Sequence, residues 1–274
     1  MRLANPLPST ILPVPIDELE LERICAVGWP GTESATIGDW LLRAGHGFTR
    51  RANSALPLGS AGADVDPAIA AVTAWYAERG LPAVFQQPTG AGLPAAVTDL
   101  DDHLAATGWS LGDQVAVLVA ELPDVLGRCT DGRRPAGAPT ITVAPEPDAD
   151  WLSLSRYRGQ PLPTAAIEVL LAGPAPTFLS MRRDGAVIGV ARGVVADGWL
   201  GVTAVTVAES ARRSGVGTAV LAGLLGWAAD HGAGSVYLQT ERGNAPALAL
   251  YGRLGFTEHH GYHYRLAPDS TVNP

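Results

Sequence analysis

The sequence contains no lysine, since all 19 of its basic residues are arginine. It has only two cysteines, Cys25 and Cys129, which lie far apart and match neither a metal-ligand spacing nor a disulfide framework. No apolar run approaches the roughly 20 residues that a membrane-spanning helix needs, and prolines interrupt the N-terminus where a signal segment would stand. We therefore expect a soluble, cytoplasmic chain with free thiols and no membrane partner.

Positive charge is also scarce relative to negative charge. The formal net charge is −8 over 274 residues, whereas nucleic-acid binding depends mainly on clustered positive charge. We therefore expect no nucleic-acid partner, and an acidic chain is more compatible with cationic or amine-bearing substrates. Hydrophobic residues make up 47% and charged residues 17% of the chain, so it has ample material for buried cores.

The order of predicted elements divides the chain into two folded units. In the second unit, three strands joined by Asp-Gly turns precede a helix over 215–231, a strand, a helix and a last strand. The first unit repeats this order more weakly, with strands predicted at 40–44 and 48–56 and a helix that starts at Asp66, which suggests an internal duplication. Both units predict an α/β fold with a mixed sheet. The predicted boundaries are a flexible arm 1–15, a first unit 16–125, a linker 126–139, a second unit 140–267 and a tail 268–274.

The strongest chemical signal is the segment Arg212–Thr218, which follows the apolar strand that ends in Val205, Thr206 and Val207. Two glycines, Gly215 and Gly217, stand where a helix opens. Free backbone N–H groups at a helix start, together with the helix dipole, form an anion site, and glycine allows close approach of a phosphate. On this segment alone, a plain turn before an amphipathic helix remains an alternative. A Walker loop is excluded because there is no lysine, and a dinucleotide fingerprint because Val220 replaces the third glycine.

A second motif lies downstream, where Asn244, Ala247, Leu250-Tyr251 and Gly255-Phe256 follow a strand. Together, Arg-x-x-Gly-x-Gly and Asn-x-x-Ala-x-x-Leu-Tyr-x-x-x-Gly-Phe closely resemble the two cofactor signatures of the GNAT superfamily of acetyl-CoA-dependent N-acetyltransferases. The resemblance implies a GNAT fold in the second unit. With the Gly38–Arg43 and Phe48–Ser54 segments, most of the chain resembles an actinobacterial tandem-GNAT family. Its first unit would then be a degenerate GNAT-like domain, because the segment Gly59–Ala63 has no arginine and no immediate helix.

The resemblance also implies roles for individual residues. The backbone of Val205, Thr206 and Val207 would bind the pantetheine arm, and Asn244 would contact the same arm. Tyr251 would protonate the departing CoA thiolate. The pyrophosphate would be held by main-chain N–H groups of Arg213, Ser214, Gly215, Val216, Gly217 and Thr218.

The general base is less well defined by the sequence. Many relatives carry a glutamate where this chain has Gln239, which cannot accept a proton. Glu241 lies two residues further along, on the same face if the strand continues, and is the best substitute. Glu209 and Glu168 are weaker alternatives.

The histidines His259, His260 and His263 are interpreted as strand-surface residues or pocket lining. Strand alternation places His260 on the face opposite the other two, so we expect no metal site.

The predicted activity is acetyl transfer to a primary amine by direct attack in a ternary complex. The acceptor would be a small molecule with an α-amine, or a lysine of a protein such as a histone-like basic protein. A non-catalytic acyl-CoA sensor or scaffold is the alternative function.

Overall fold

The computed structural model describes residues 16–131, 139–157 and 159–268. The predicted arm 1–15, residues 132–138 of the predicted linker and residues 269–274 of the predicted tail lie outside these ranges. Within them, none of the helices combines the length and the apolar character needed to cross a bilayer.

Eight α-helices and thirteen strands alternate along the described chain. The helices are α1 Glu18–Gly28, α2 Val65–Ala77, α3 Ala95–Ala106, α4 Leu122–Thr130, α5 Ala149–Leu154, α6 Ala166–Leu171, α7 Val216–Asp230 and α8 Ala245–Arg253. The strands are β1 Glu33–Ile37, β2 Trp40–Ala44, β3 Ala55–Pro57, β4 Val84–Thr89, β5 Ser110–Glu121, β6 Thr140–Ala144, β7 Arg156–Tyr157, β8 Gln160–Pro161, β9 Thr177–Arg183, β10 Ala186–Ala196, β11 Trp199–Val207, β12 Ser235–Glu241 and β13 Thr257–Leu266. A single 3-10 turn, Glu209–Ala211, precedes α7.

Eleven of these strands form one continuous mixed sheet in the order β1-β2-β3-β4-β13-β5-β12-β11-β10-β9-β6. The C-terminal strand β13 is antiparallel to both β4 and β5, and β5 is in turn antiparallel to β12. The last strand of each half of the chain therefore lies between strands of the other half. This interleaving joins the two halves through long-range backbone pairing.

Helices cover both faces of the sheet around β10 and β11. The neighbouring residues Arg192 and Gly193 of β10 point to opposite faces, as strand alternation requires. The Arg192 guanidinium donates to the carbonyl of Gly28 at the end of α1, at 3.1 Å. An added Cβ on Gly193 would lie 2.9 Å from Leu224 of α7, so this glycine allows α7 to pack closely on the sheet. The α1 helix of the first half thus packs on strands of the second half.

The predicted order of the second unit is confirmed from β9 to β13. Asp184 and Gly185, with φ of 51° and 81°, and Asp197 and Gly198, with φ of 49° and 77°, form the two predicted tight turns. Positive φ at both central residues defines the hairpin turn that suits the strand twist.

Several local predictions in the first half are wrong. The predicted strand 48–56 is a strand only from Ala55, because the Asn53 side chain folds the preceding segment into a loop. Its Oδ1 accepts from the N–H groups of Gly45 at 2.8 Å and Gly47 at 3.0 Å. Helix α2 begins at Val65 with Asp64 at the cap position, not at Asp66. Helix α4 covers residues 126–130, which were predicted to begin the linker.

Candidate functional site

The central feature is a cleft where two neighbouring strands separate. The parallel pairing of β11 with β12 runs from Trp199 opposite Ser235 to Val202 opposite Leu238. Both strands continue beyond this point, whereas on its other edge β11 remains paired with β10 as far as Val207. Ala204 has a left-handed φ of 53°, which bends β11 where the separation begins.

The cleft has a volume of about 490 Å³, and the predicted residues Val205, Thr206, Glu241, Asn244 and Tyr251 all line it. Val205 and Thr206 are partly buried on the β11 side. Beyond Val202, β11 is no longer paired with β12. An extended ligand that lies between the two strands could therefore form hydrogen bonds with the main chain of β11 there.

The segment after β11 turns sharply into the start of α7. Arg213 and Gly215 have left-handed φ values of 57° and 86°, and the Ser214 hydroxyl donates to the carbonyl of Ala211 at 2.7 Å. Gly215 occupies the N-cap position of α7, and no side chain there accepts a hydrogen bond from the first turn. The N–H groups of Val216, Gly217 and Thr218 therefore stand at a helix start, where the helix itself supplies no acceptor.

The Gly217 position leaves room for a small ligand group. A Cβ added there would lie 3.6 Å from Val207 and 3.8 Å from Leu250, which is ordinary van der Waals contact. The protein alone does not require glycine at this position. Close approach of an anion is a physical reason for its presence.

Asn244 and Tyr251 both belong to the α8 region. Asn244 caps α8, its Oδ1 accepting from the N–H of Ala247 at 3.3 Å. Tyr251 is 9% exposed and packs edge-on against Phe256, with ring centroids 5.6 Å apart. Burial raises the pKa of Tyr251 to about 12. Its hydroxyl therefore remains protonated at neutral pH and can donate a hydrogen bond into the cleft.

The structure separates the three carboxylates considered as bases. Glu241 is exposed at the end of β12 and lines the cleft. Glu168 instead contacts His46, at 2.9 Å between Oε2 and Nε2. Glu209 lies exposed in the 3-10 turn and does not line the cleft. Gln239 lines the cleft, and its Oε1 accepts from the Tyr262 hydroxyl at 3.2 Å.

The histidines of β13 are not a strand surface, which corrects the prediction. His260 is 4% exposed and contacts the buried Glu22 of α1 at 3.0 Å. A register shift between Glu258 and His260 brings the His259 and His260 Nδ1 atoms to 2.9 Å. His263 contacts Asp101 of α3 at 2.8 Å. Over the described ranges, no group of three or more potential metal ligands comes together.

Residues of the first half also line the cleft, and the sequence did not predict them as site residues. They are Trp29, Phe48, Thr49, Arg50, Arg51, Asp113 and Val115. The Arg51 Nε donates to the Tyr262 hydroxyl at 3.1 Å, while Arg50 forms an ion pair with Asp113. Only the interleaving of β5 and β13 brings these residues to the cleft, and local sequence patterns carry no signal for such long-range pairing.

Comparison with known proteins places the chain in a family. Residues 17–265 match the family described as "Probable histone acetyltransferase Rv0428c C-terminal". An uncharacterised N-acetyltransferase, YobR of Bacillus subtilis, is 30% identical over 91% of this chain and 98% of its own length. The probable histone acetyltransferase Rv0428c of Mycobacterium tuberculosis is 32% identical over 92% of this chain and 74% of its own length.

Solved structures show the same fold. A GCN5-related N-acetyltransferase from Kribbella flavida has a TM-score of 0.63 and 18% identity, covering 91% of this chain and 94% of its own. A tandem GNAT protein from the clavulanic acid biosynthesis pathway has a TM-score of 0.57 and 13% identity, covering 74% and 69% respectively. The chain thus has a tandem-GNAT-like mixed α/β fold and belongs to the Rv0428c C-terminal family of GNAT-type acetyltransferases.

Proposed function

We propose that this member of the family transfers the acetyl group of acetyl-CoA to a primary amine in the cleft between β11 and β12. The observation that carries the proposal is the separation of these strands beside an uncapped helix start, with the Tyr251 phenol at the cleft wall. The pantetheine arm would lie along the backbone of Val205–Val207, and its pyrophosphate would accept hydrogen bonds from the first turn of α7. Asn244, at the cleft edge, would contact the pantetheine portion.

The transfer would proceed in a ternary complex. The amine nitrogen attacks the thioester carbonyl carbon, the carbon–sulfur bond breaks, and the amide keeps the acetyl group. Glu241 would take the proton that the attacking nitrogen loses, either directly or through water, and Tyr251 would donate a proton or a hydrogen bond to the departing thiolate.

The energetics limit how far Tyr251 transfers its proton. With its pKa raised to about 12 and a model thiol near 8.5, full transfer is uphill by about 5 kcal/mol. A hydrogen bond that strengthens as negative charge develops on sulfur is therefore the larger part of its contribution.

The site favours an acceptor that is easy to deprotonate. Releasing a proton from a lysine ammonium near pKa 10.4 costs about 4.6 kcal/mol at pH 7, whereas an α-amine near 7.8 costs about 1 kcal/mol. Glu241 is exposed to solvent, and it is the substitute that the GNAT resemblance suggests for a base at position 239. A small α-amine acceptor fits this site better than a lysine side chain does.

The direct test is acetyl-CoA turnover by the full chain against a panel of amines, with CoA release and the acetylated product both quantified. The panel includes α-amines, alkyl amines and lysine-containing basic peptides. We expect product from at least one α-amine and a much lower kcat for Tyr251→Phe. Tight acetyl-CoA binding without product from any amine would instead support an acyl-CoA sensor or scaffold.

A further inference from the structure

The cleft contains a positive charge that the transfer chemistry does not use. Arg51 lies in the loop between β2 and β3, is half-buried, and lines the cleft. Its Nε donates to the Tyr262 hydroxyl at 3.1 Å. Within the described part of the chain, neither terminal guanidinium nitrogen makes a hydrogen bond, and no carboxylate forms an ion pair with the group.

Neighbouring Arg50 also lines the cleft, but an acidic side chain neutralises its charge. Its guanidinium forms an ion pair with Asp113 of β5 and lies 5.3 Å from the ring centroid of Tyr264. Two adjacent arginines of one loop therefore differ, because Arg50 has an acidic partner and Arg51 has none among the residues that the structure describes. A half-buried, uncompensated guanidinium is costly unless an anion occupies the site during function.

A hydrogen-bond chain fixes the position of Arg51 relative to the proposed base. Tyr262 accepts from Arg51 and donates to the Oε1 of Gln239 at 3.2 Å. Gln239 stands two residues before Glu241 on the same strand, so both side chains point to one side of β12. The guanidinium therefore lies on the β12 side of the cleft, with the base, whereas the uncapped start of α7 follows β11.

We propose that Arg51 binds a carboxylate carried by the acceptor, so that the preferred substrates are small amines of the amino-acid type. This inference rests on the proposed acetyl transfer and specifies its acceptor. Glu241 would receive the amine, and the terminal nitrogens of Arg51 would bind the carboxylate through two parallel hydrogen bonds.

The charge balance of the cleft disfavours a lysine-rich protein tail. Among its described lining residues, Arg50, Arg51 and Arg156 face two carboxylates, Asp113 and Glu241. The net charge of −8 is thus not concentrated in the cleft. A tail with several lysines would meet Arg51 with like charge and without a compensating acidic group.

The test uses the full chain and amines matched in side chain but differing in the carboxylate. Phenylalanine, phenylalaninamide and phenethylamine form one set, and leucine and leucinamide form a second. For the native protein we expect kcat/KM for the free acids, expressed per deprotonated amine, to exceed that for the amides by about 10- to 100-fold, the range for a hydrogen bond between charged groups. Arg51→Gln should remove this preference by lowering the free-acid values far more than the amide values, with the KM for acetyl-CoA within about twofold.

Two further variants test whether the preference depends on the charge or on the geometry of the Arg51 side chain, and whether the effect is specific to the cleft. Arg51→Lys should retain part of the preference, since it keeps the charge but loses the bidentate geometry. Arg253→Gln makes the same chemical change on the exposed surface of α8, outside the cleft, and should leave the preference intact.

Three results would overturn the inference. One is an equal kcat/KM, expressed per deprotonated amine, for acids and amides in the native protein. Another is an equal loss on both substrates in Arg51→Gln, and the third is an effect of that variant on the KM for acetyl-CoA alone, which would make Arg51 a cofactor contact. Turnover of amides or phenethylamine would leave the proposed acetyl transfer standing in each case. No turnover of any amine would contradict the proposed function itself.

Discussion

Substitution of Gly217 by aspartate should separate cofactor binding from stability. Gly217 is the second residue of α7, and an added Cβ meets Val207 at 3.6 Å and Leu250 at 3.8 Å, so the apoprotein accommodates it. A carboxylate in the first turn also interacts favourably with the helix dipole, by about 0.3–1 kcal/mol. Replacing a helical glycine removes a further cost of conformational entropy. We therefore expect Gly217→Asp to keep or raise the melting temperature of the apoprotein.

The same carboxylate should strongly oppose CoA binding. One negative charge about 5 Å from a phosphate, at an effective dielectric constant of about 20, contributes roughly 3 kcal/mol of repulsion. This corresponds to more than 100-fold weaker binding, and a blocked approach to the backbone N–H groups adds to it.

Calorimetric titration of CoA into the full chain, with melting temperatures of the same samples, measures both effects. Gly226→Asp is the matched control, since it lies on α7 with open space around an added Cβ and away from the cleft. It should bind CoA as the native protein does. A Gly217→Asp protein with native CoA affinity would show that the segment before α7 is only a turn.

Three further predictions concern pH and the interleaved halves. Because burial raises the pKa of Tyr251 to about 12, kcat/KM should rise with pH as the amine deprotonates, and a falling limb near pH 8–9 would argue against this phenol as the donor. Glu22→Ala removes the carboxylate that lies 3.0 Å from His260 in the buried contact between α1 and β13. The free energy of unfolding, measured with denaturant, should therefore fall by about 2–5 kcal/mol. A fall of less than about 1 kcal/mol would contradict the importance of this contact. Burial acts to raise the pKa of Asp101, but hydrogen bonds from two β13 side chains hold it at about 2. Its stabilisation is therefore complete above the unfolded pKa near 3.9 and is lost as pH falls towards 2, so the stability gap between native protein and Asp101→Asn should shrink over that window, and a gap that stays constant down to pH 2 would contradict this role.

Local sequence signals were sufficient for the elements that carry the proposed cofactor site. The Asp-Gly turns, the glycines before α7 and the Asn244 cap each depend on residues within a few positions of one another. Their structural consequences, positive φ values and helix starts, follow from short-range backbone sterics. This is why β9 to β13 were predicted in the correct order.

What the sequence could not predict depends on contacts between distant residues. The Asn53 side chain competes with strand formation only because it bonds the backbone of Gly45 and Gly47. His260 is buried because β13 is inserted beside strands of the first half, beneath α1. Arg51 reaches the cleft for the same reason, so the proposed acceptor contact in the first half could not be predicted from the local sequence.

The interleaving of β5 and β13 also determines which part of the chain is needed to form the proposed cofactor site. Both proposed cofactor motifs lie after Thr140, the start of the predicted second unit, so the sequence alone suggests that a fragment starting there binds acetyl-CoA if it folds. Such a fragment lacks β5, which pairs with both β12 and β13. We therefore expect binding to require the full chain.

We propose acetyl transfer in the cleft, with Tyr251 as the donor to the leaving thiolate. The most direct test of this proposal is kcat for Tyr251→Phe in the full chain, with the best acceptor of the amine panel and with acetyl-CoA affinity measured in parallel. The phenylalanine ring keeps the contact with Phe256, so affinity should change by less than about twofold while kcat falls by about 100- to 10,000-fold. An unchanged kcat, under conditions where the absence of a CoA burst shows chemistry to be rate-limiting, would contradict the account.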